Sequence, residues 1–205
     1  MQKFVGKHRT SVAKYALDAE TTVSLCLELN YQKEGELTLL LCLPGGQPAA
    51  IAAFVLERKP NGTHLMRIAR VQGAGEAELQ RRLEKLMHGL RPKSLMLFAC
   101  QEVAHALGVA DVYGVSNELQ VYRNKVLFAV PGIHALSFDY DSLWSESDGV
   151  PEPDGWFKLP PRLVKRQPAE MKANKRSMYK KRYAMLDEIA GQIHIALETP
   201  LALAG

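Results

Sequence analysis

The chain has 205 residues, 47% of them apolar and 23% charged, with a formal net charge of +4. That length buries a core without disulfides or metals, and no apolar run reaches the ~18 residues that a membrane span needs. The composition is that of a soluble globular domain and excludes a disordered chain or a disulfide scaffold. Cys26, Cys42 and Cys100 lie far apart with no Cys-x-x-Cys pair, so they read as reduced core thiols rather than metal ligands. The first nine residues are basic but no apolar segment follows them. No secretory signal is expected, and the location expected is cytoplasmic, extending to the periphery of the inner membrane.

Residues 1–20 carry a weak helical pattern, with Val12, Ala13, Ala16 and Leu17 on one face, and read as a partial helical leader. Residues 21–31 alternate as a strand. Strands are then expected at Leu37–Leu43, Ala49–Arg58 and His64–Val71, with turns at Lys33–Glu36, Pro44–Pro48 and Lys59–Gly62; Asn61-Gly62 is a strong hairpin signal. This meander leads into Arg70-Val71-Gln72-Gly73-Ala74-Gly75. Apolar spacing predicts helices over Glu76–Leu90 and Pro92–Leu107, the second opening on proline and closing on Gly108. A strand follows at Val109–Val115, a helix at Glu118–Phe128, and two β-like pieces at Ala135–Trp144 and Trp156–Leu159, parted by an acidic loop. Pro160, Pro161 and Pro168 mark a linker, and a last helix is expected from Glu170 to Ile195. The fold expected is a single α+β domain with a mixed, mostly antiparallel sheet flanked by helices.

Charge is unevenly spread. Of 26 Lys and Arg, ten fall between Lys158 and Arg182 with a single acid, which leaves 16 basic against 21 acidic residues elsewhere. The basic stretch Lys172, Lys175, Arg176, Lys180, Lys181 and Arg182 is the candidate partner-binding face, for an anionic membrane surface or an acidic carrier protein. It carries no RNA- or DNA-binding signature, so nucleic acid is not the expected partner.

The spacing Arg70-x-x-Gly73-x-Gly75 resembles the pyrophosphate loop of acyl-CoA N-acyltransferase folds, and the order of elements is the one that such folds require. In that architecture two central strands splay and a pantetheine arm lies between them. The implied donor is acyl-CoA or acyl carrier protein, and the implied cradle is Arg70, Val71, Gln72, Gly73, Ala74 and Gly75, largely through backbone amides. The alternative is a plain strand-to-helix turn. Tyr122 is the candidate acid for the departing thiolate and Glu57 the candidate base; core packing and a solvated strand end are the rival readings. Asp139 and Asp141 either hold a cationic acceptor or pair with Arg176 or Arg182. His105, on an apolar helix, reads as a core imidazole.

Six further stretches carry a family resemblance: Val71–Gly73, Gly89–Lys93, Val112–Asn117, Tyr140–Trp144, Gly155–Pro160 and Lys175–Tyr183. Together they resemble the VirK/YbjX family of bacterial proteins. The resemblance implies a Gram-negative protein linked to virulence, envelope integrity and resistance to defence peptides. Gln120 stands where the family pattern often has His; were that His the base, this chain would be impaired in catalysis. A non-enzymatic factor acting through the basic face is the alternative.

Overall fold

The computed structural model describes residues 9–32, 35–120 and 139–198. Strands β1 (Arg9–Ala16), β2 (Thr22–Gln32), β3 (Gly35–Cys42), β4 (Pro48–Arg58) and β5 (His64–Gly73) form an antiparallel meander. Helices α1 (Ala77–Leu86) and α2 (Pro92–Ala106) follow, then β6 (Asp111–Val115), which lies parallel to β5. After α3 (Tyr140–Ser145), β7 (Val150–Pro151) and β8 (Trp156–Leu159) close the sheet in the order β1-β2-β3-β4-β5-β6-β8-β7. Thus β8 inserts between β6 and β7. A coil from Pro160 and two short 3-10 turns lead to α4 (Arg176–Glu198).

Helix α2 packs across β3, β4 and β5, and α4 packs on α2 and β1. One sheet face therefore supplies the core: Leu39 and Leu41 from β3, Ala52 and Phe54 from β4, and Met66 and Ile68 from β5, closed by Leu95, Met96, Leu186 and Ile193. On the opposite face Cys26, Leu40 and Cys42 form a small second cluster beside Ile51. All three cysteines are buried free thiols. Burial pushes the Cys100 thiol up to about 12 and Cys42 up to about 11, so both are inert at neutral pH.

The meander, α2 and β8 fall where the periodicity placed them, and Gly108 ends α2 with φ +68°. Three assignments are corrected. Residues 9–16 form a strand, not a helix: a bulge between Ser11 and Ala13 turns Val12 and Ala13 inward together, which imitates a helical face. Residues 140–145 form α3, not a strand, because Asp139 accepts from the Ser142 amide at 3.1 Å as an N-cap. The last helix begins at Arg176, after a proline-led 3-10 turn at Pro168–Glu170 and another at Ala173–Lys175. The expected helix at Glu118–Phe128 lies largely outside the described residues.

Two polar contacts fix the outer elements. Glu102, 1% exposed on α2, accepts both arms of Arg162 at 3.0 and 2.8 Å and meets His194 at 3.0 Å; an unpaired buried carboxylate would be costly. His105, expected in the core, is exposed and stacks on His194 with ring centroids 5.1 Å apart. At the edge of β1 that no described strand covers, the Gln192 carboxamide takes the Lys14 amide at 2.8 Å and donates to the Lys14 carbonyl at 2.9 Å.

Candidate functional site

Strand β5 carries one extra residue against β4. Phe54 opposes Ile68 and Ala53 opposes Arg70, so Ala69 bulges. The inward-facing set passes from Met66 and Ile68 to Val71 across that bulge. Such bulges bend a strand and end its pairing, and the parallel ladder to β6 stops at Ile68 and Gly114. Beyond Ala69, β5 keeps β4 on one edge and parts from β6 on the other.

The parted edge is filled by side chains. Gln120 Nε2 donates to the Ala69 carbonyl at 3.1 Å, and the Val71 amide donates to the Tyr140 hydroxyl at 3.4 Å. Gln120 is 3% exposed and Tyr140 1%. Asn117 fixes both flanks: its amide donates to Asp141 Oδ1 at 2.7 Å, its Nδ2 to Asp139 Oδ1 at 2.8 Å, and its Oδ1 accepts from the Tyr140 amide at 2.9 Å. Trp144 completes the support, donating from Nε1 to the Val115 carbonyl at 2.8 Å. Its ring lies so close to Gly114 that a Cβ there would sit 2.4 Å away. Asp139 and Asp141 thus serve the turn after β6 and the start of α3. The pairing expected with Arg176 or Arg182 is corrected: a capping aspartate is held where its helix begins.

The cradle residues are not a separate loop. Arg70, Val71, Gln72 and Gly73 belong to β5, and the turn is Ala74, Gly75 and Glu76. Arg70 donates from Nε and Nη2 to Gln72 Oε1 at 2.9 and 2.6 Å. The Ala74 amide donates to the Ala49 carbonyl at 2.8 Å, while Gln80 Nε2 bridges the Ala49 and Ala74 carbonyls at 2.8 and 2.7 Å. The amides of Val71 and Ala74 therefore serve different partners and do not converge on one anion. Gly75, at φ +83°, lets the chain turn into α1. Glu76 and Glu78 flank that helix start, where the dipole alone would favour a phosphate but two carboxylates oppose it.

Glu57 opposes Leu65, ahead of the bulge, and pairs with Arg67 at 3.1 Å. The Arg67 guanidinium in turn lies over Trp156 at 4.6 Å and Tyr113 at 5.4 Å. Glu57 is therefore not brought to the parted edge. Tyr122 lies outside the described residues. Spacing does not mark Tyr140, Asn117 or Gln80 as site residues; Tyr140 and Asn117 lie in the family-like stretches Tyr140–Trp144 and Val112–Asn117, and Asp139 three residues ahead of Ser142 signals the start of α3.

The basic face holds together. Lys172, Lys175, Arg176, Lys180 and Lys181 are exposed, and Arg182 donates to the His88 carbonyl at 3.1 and 2.8 Å while lying 4.6 Å over Tyr179. Among the described residues none of the six forms an ion pair with a carboxylate, and the first turn of α4 contains no acid. His88 beside them is held below the usual histidine range, by burial first and then by Lys181 and Arg182.

Among its described residues the chain is an α+β protein with a mostly antiparallel sheet of eight strands, and over residues 1–194 it matches the family described as "Protein of unknown function (DUF535)". It belongs to that family, the one that includes the protein called YbjX. Against "Uncharacterized protein YbjX" of Escherichia coli K12 it is 34% identical over 177 residues, 84% of this chain and 52% of that protein. Against an "Uncharacterized protein" of Haemophilus influenzae it is 38% identical over 126 residues, 60% of this chain and 40% of that one. The chain spans about half the length of these curated relatives. No described helix is long and apolar enough to cross a membrane.

Proposed function

We propose that the chain is an acyltransferase-type protein that takes an acyl thioester donor, acyl-CoA or acyl carrier protein, along the parted edge of β5. The observation that carries this reading is the bulge at Ala69, which separates β5 from its parallel neighbour just ahead of Gly73 and Gly75. Strand order supports it as well: a meander, one parallel pair, and a last strand inserted beside β6 resembles the order expected of N-acyltransferase folds. The Ala69 carbonyl and Val71 amide would pair with an extended amide-bearing arm, and Gln120 and Tyr140 would leave them when it enters. The acceptor is an amine or hydroxyl of a protein or envelope lipid. Virulence, envelope integrity and defence-peptide resistance are the setting that the family resemblance implies. Calorimetric titration with coenzyme A, acetyl-CoA and acyl carrier protein tests this. Saturable binding that is lost in Gly73→Val is expected; no binding of any donor, in wild type or in Tyr140→Phe, rejects it.

A second reading is a non-enzymatic factor that contacts an anionic partner through Lys172, Lys175, Arg176, Lys180, Lys181 and Arg182. The filled edge of β5 and the absence of carboxylate partners for these six among the described residues favour it. Binding to anionic liposomes without any donor binding would select this reading.

A further inference from the structure

A cavity of about 440 Å³ lies between α2 and α4 beneath the coil that runs from Pro160 to Glu170. Its size is in the range of small-molecule sites. Leu90, Leu97, Phe98 and Leu186 contribute its apolar lining, with Leu163 and Val164 from the coil. The coil is pinned on both sides of those two residues. Gln101 Nε2 donates to the Pro160 carbonyl at 2.8 Å and Arg162 binds Glu102; beyond them Lys165 pairs with Asp187 and the Arg166 amide donates to the Tyr183 hydroxyl at 3.0 Å. Leu163 and Val164 are nonetheless 39% and 66% exposed. Two aliphatic side chains are thus held in water, beside the apolar wall of the hollow, by fastened neighbours.

The polar side of the cavity is cationic at one place. Arg166 and Arg182 both approach the ring of Tyr179, at 6.0 and 4.6 Å, and among the described residues neither has a carboxylate partner. The acids that line the same cavity are Glu146, Asp148 and Glu170. Glu146 is paired with Arg91, Glu170 accepts from the Gln167 amide at 2.8 Å, and Asp148 sits on the segment after α3. Their approach to one ring gathers positive charge at the Tyr179 end of the cavity.

We propose that this cavity binds an anionic amphiphile, with an alkyl chain between α2 and the coil and its carboxylate or phosphate against Arg166 and Arg182. The chain covers Leu163 and Val164 and the head neutralises the arginines. Nucleic acid fits worse, since Leu90, Leu97, Leu163, Val164 and Leu186 give one wall an aliphatic surface, three carboxylates line the same cavity, and Tyr179 is already stacked by arginine. The source is either a free long-chain carboxylate or a phospholipid of an anionic bilayer. This site is separate from the parted edge of β5 and does not rest on donor binding there.

The test uses 11-(dansylamino)undecanoate as fluorescent probe, competed by dodecanoate and by uncharged dodecanol, and sedimentation with phosphatidylglycerol or phosphatidylcholine vesicles. Ser94→Trp fills the cavity, Arg166→Glu reverses its head site, and Val164→Asp, in the exposed coil, reads the same contact without disturbing a helix. We expect saturable uptake, at least tenfold weaker in each variant, and dodecanoate competing at least tenfold better than dodecanol. Pelleting with phosphatidylglycerol that is lost in Ser94→Trp assigns the bilayer as source; probe binding without pelleting assigns the free acid. No saturable uptake, equal competition by dodecanol, uptake unchanged in Arg166→Glu and Val164→Asp, or pelleting that survives in Ser94→Trp without probe uptake, overturns the proposal.

Discussion

The Val71 amide and the Tyr140 hydroxyl meet at 3.4 Å across the edge where β5 has left β6. That bond ties the start of α3 to the middle of the sheet, and it occupies a backbone donor that an incoming ligand would need. Tyr140→Phe removes the acceptor and leaves a buried amide unmet, which costs about 1–3 kcal/mol. Urea denaturation should show that loss, while coenzyme A affinity should rise several-fold because the amide is released. Gln120→Ala should act in the same direction. Affinity unchanged in both variants would place the donor elsewhere.

Gly114 and Gly108 differ in why they are glycine. A Cβ on Gly114 would lie 2.4 Å from Trp144, whereas one on Gly108 would meet nothing within 4 Å but sits at φ +68°. Gly114→Ala should therefore cost more, about 1–3 kcal/mol from overpacking, and shift tryptophan fluorescence. Gly108→Ala should cost about 1 kcal/mol from backbone strain alone, with fluorescence unchanged.

Asp111 is held below the usual carboxylate range, chiefly by the hydrogen bond from Lys59 and also by Lys158 at 3.2 Å. A carboxyl with a depressed folded-state pKa stabilises above its unfolded value of about 3.9 and loses that contribution as pH falls through the folded value. The Tm gap between wild type and Asp111→Asn should be constant from neutral pH to about pH 5 and close at more acid pH. A gap that widened on acidification would contradict the assignment.

Thiol titration gives a direct reading of the core. With Cys100 pushed up to about 12 and Cys42 up to about 11, and Cys26 also buried, Ellman's reagent should find no reactive thiol in the folded protein at pH 8. Denaturant should release all three.

The cations at the start of α4 oppose the helix dipole. Lys180→Glu with Lys181→Glu, past the first turn where that effect fades, should leave stability within about 0.5 kcal/mol of wild type. If the basic face is a docking surface, the same pair should abolish binding to anionic liposomes, and wild-type binding should weaken as salt is raised.

The meander could be read from alternation in residues 21–31 and from Asn61-Gly62, and α2 from proline at its start and glycine after its end. These signals are local, and the structure keeps them. The first strand was hidden because a bulge puts Val12 and Ala13 on one side. The third helix was hidden because its tyrosine and tryptophan look like strand residues until Asp139 is recognised as a cap. Arg70 to Gly75 was legible as a tight passage from strand to helix. What the sequence could not reveal is which side chains lie against it: Gln120 and Tyr140 reach Ala69 and Val71 from 51 and 69 residues away. Nothing in local spacing encodes such a meeting.

The Gln192 carboxamide, bonded to both the amide and the carbonyl of Lys14, presents to the outermost strand the same donor and acceptor that a neighbouring peptide would offer. A helix thereby lends the sheet an imitation of one more strand, a single residue long. Another strand meeting that margin finds the Lys14 donor and acceptor already taken, which blunts the edge at one position.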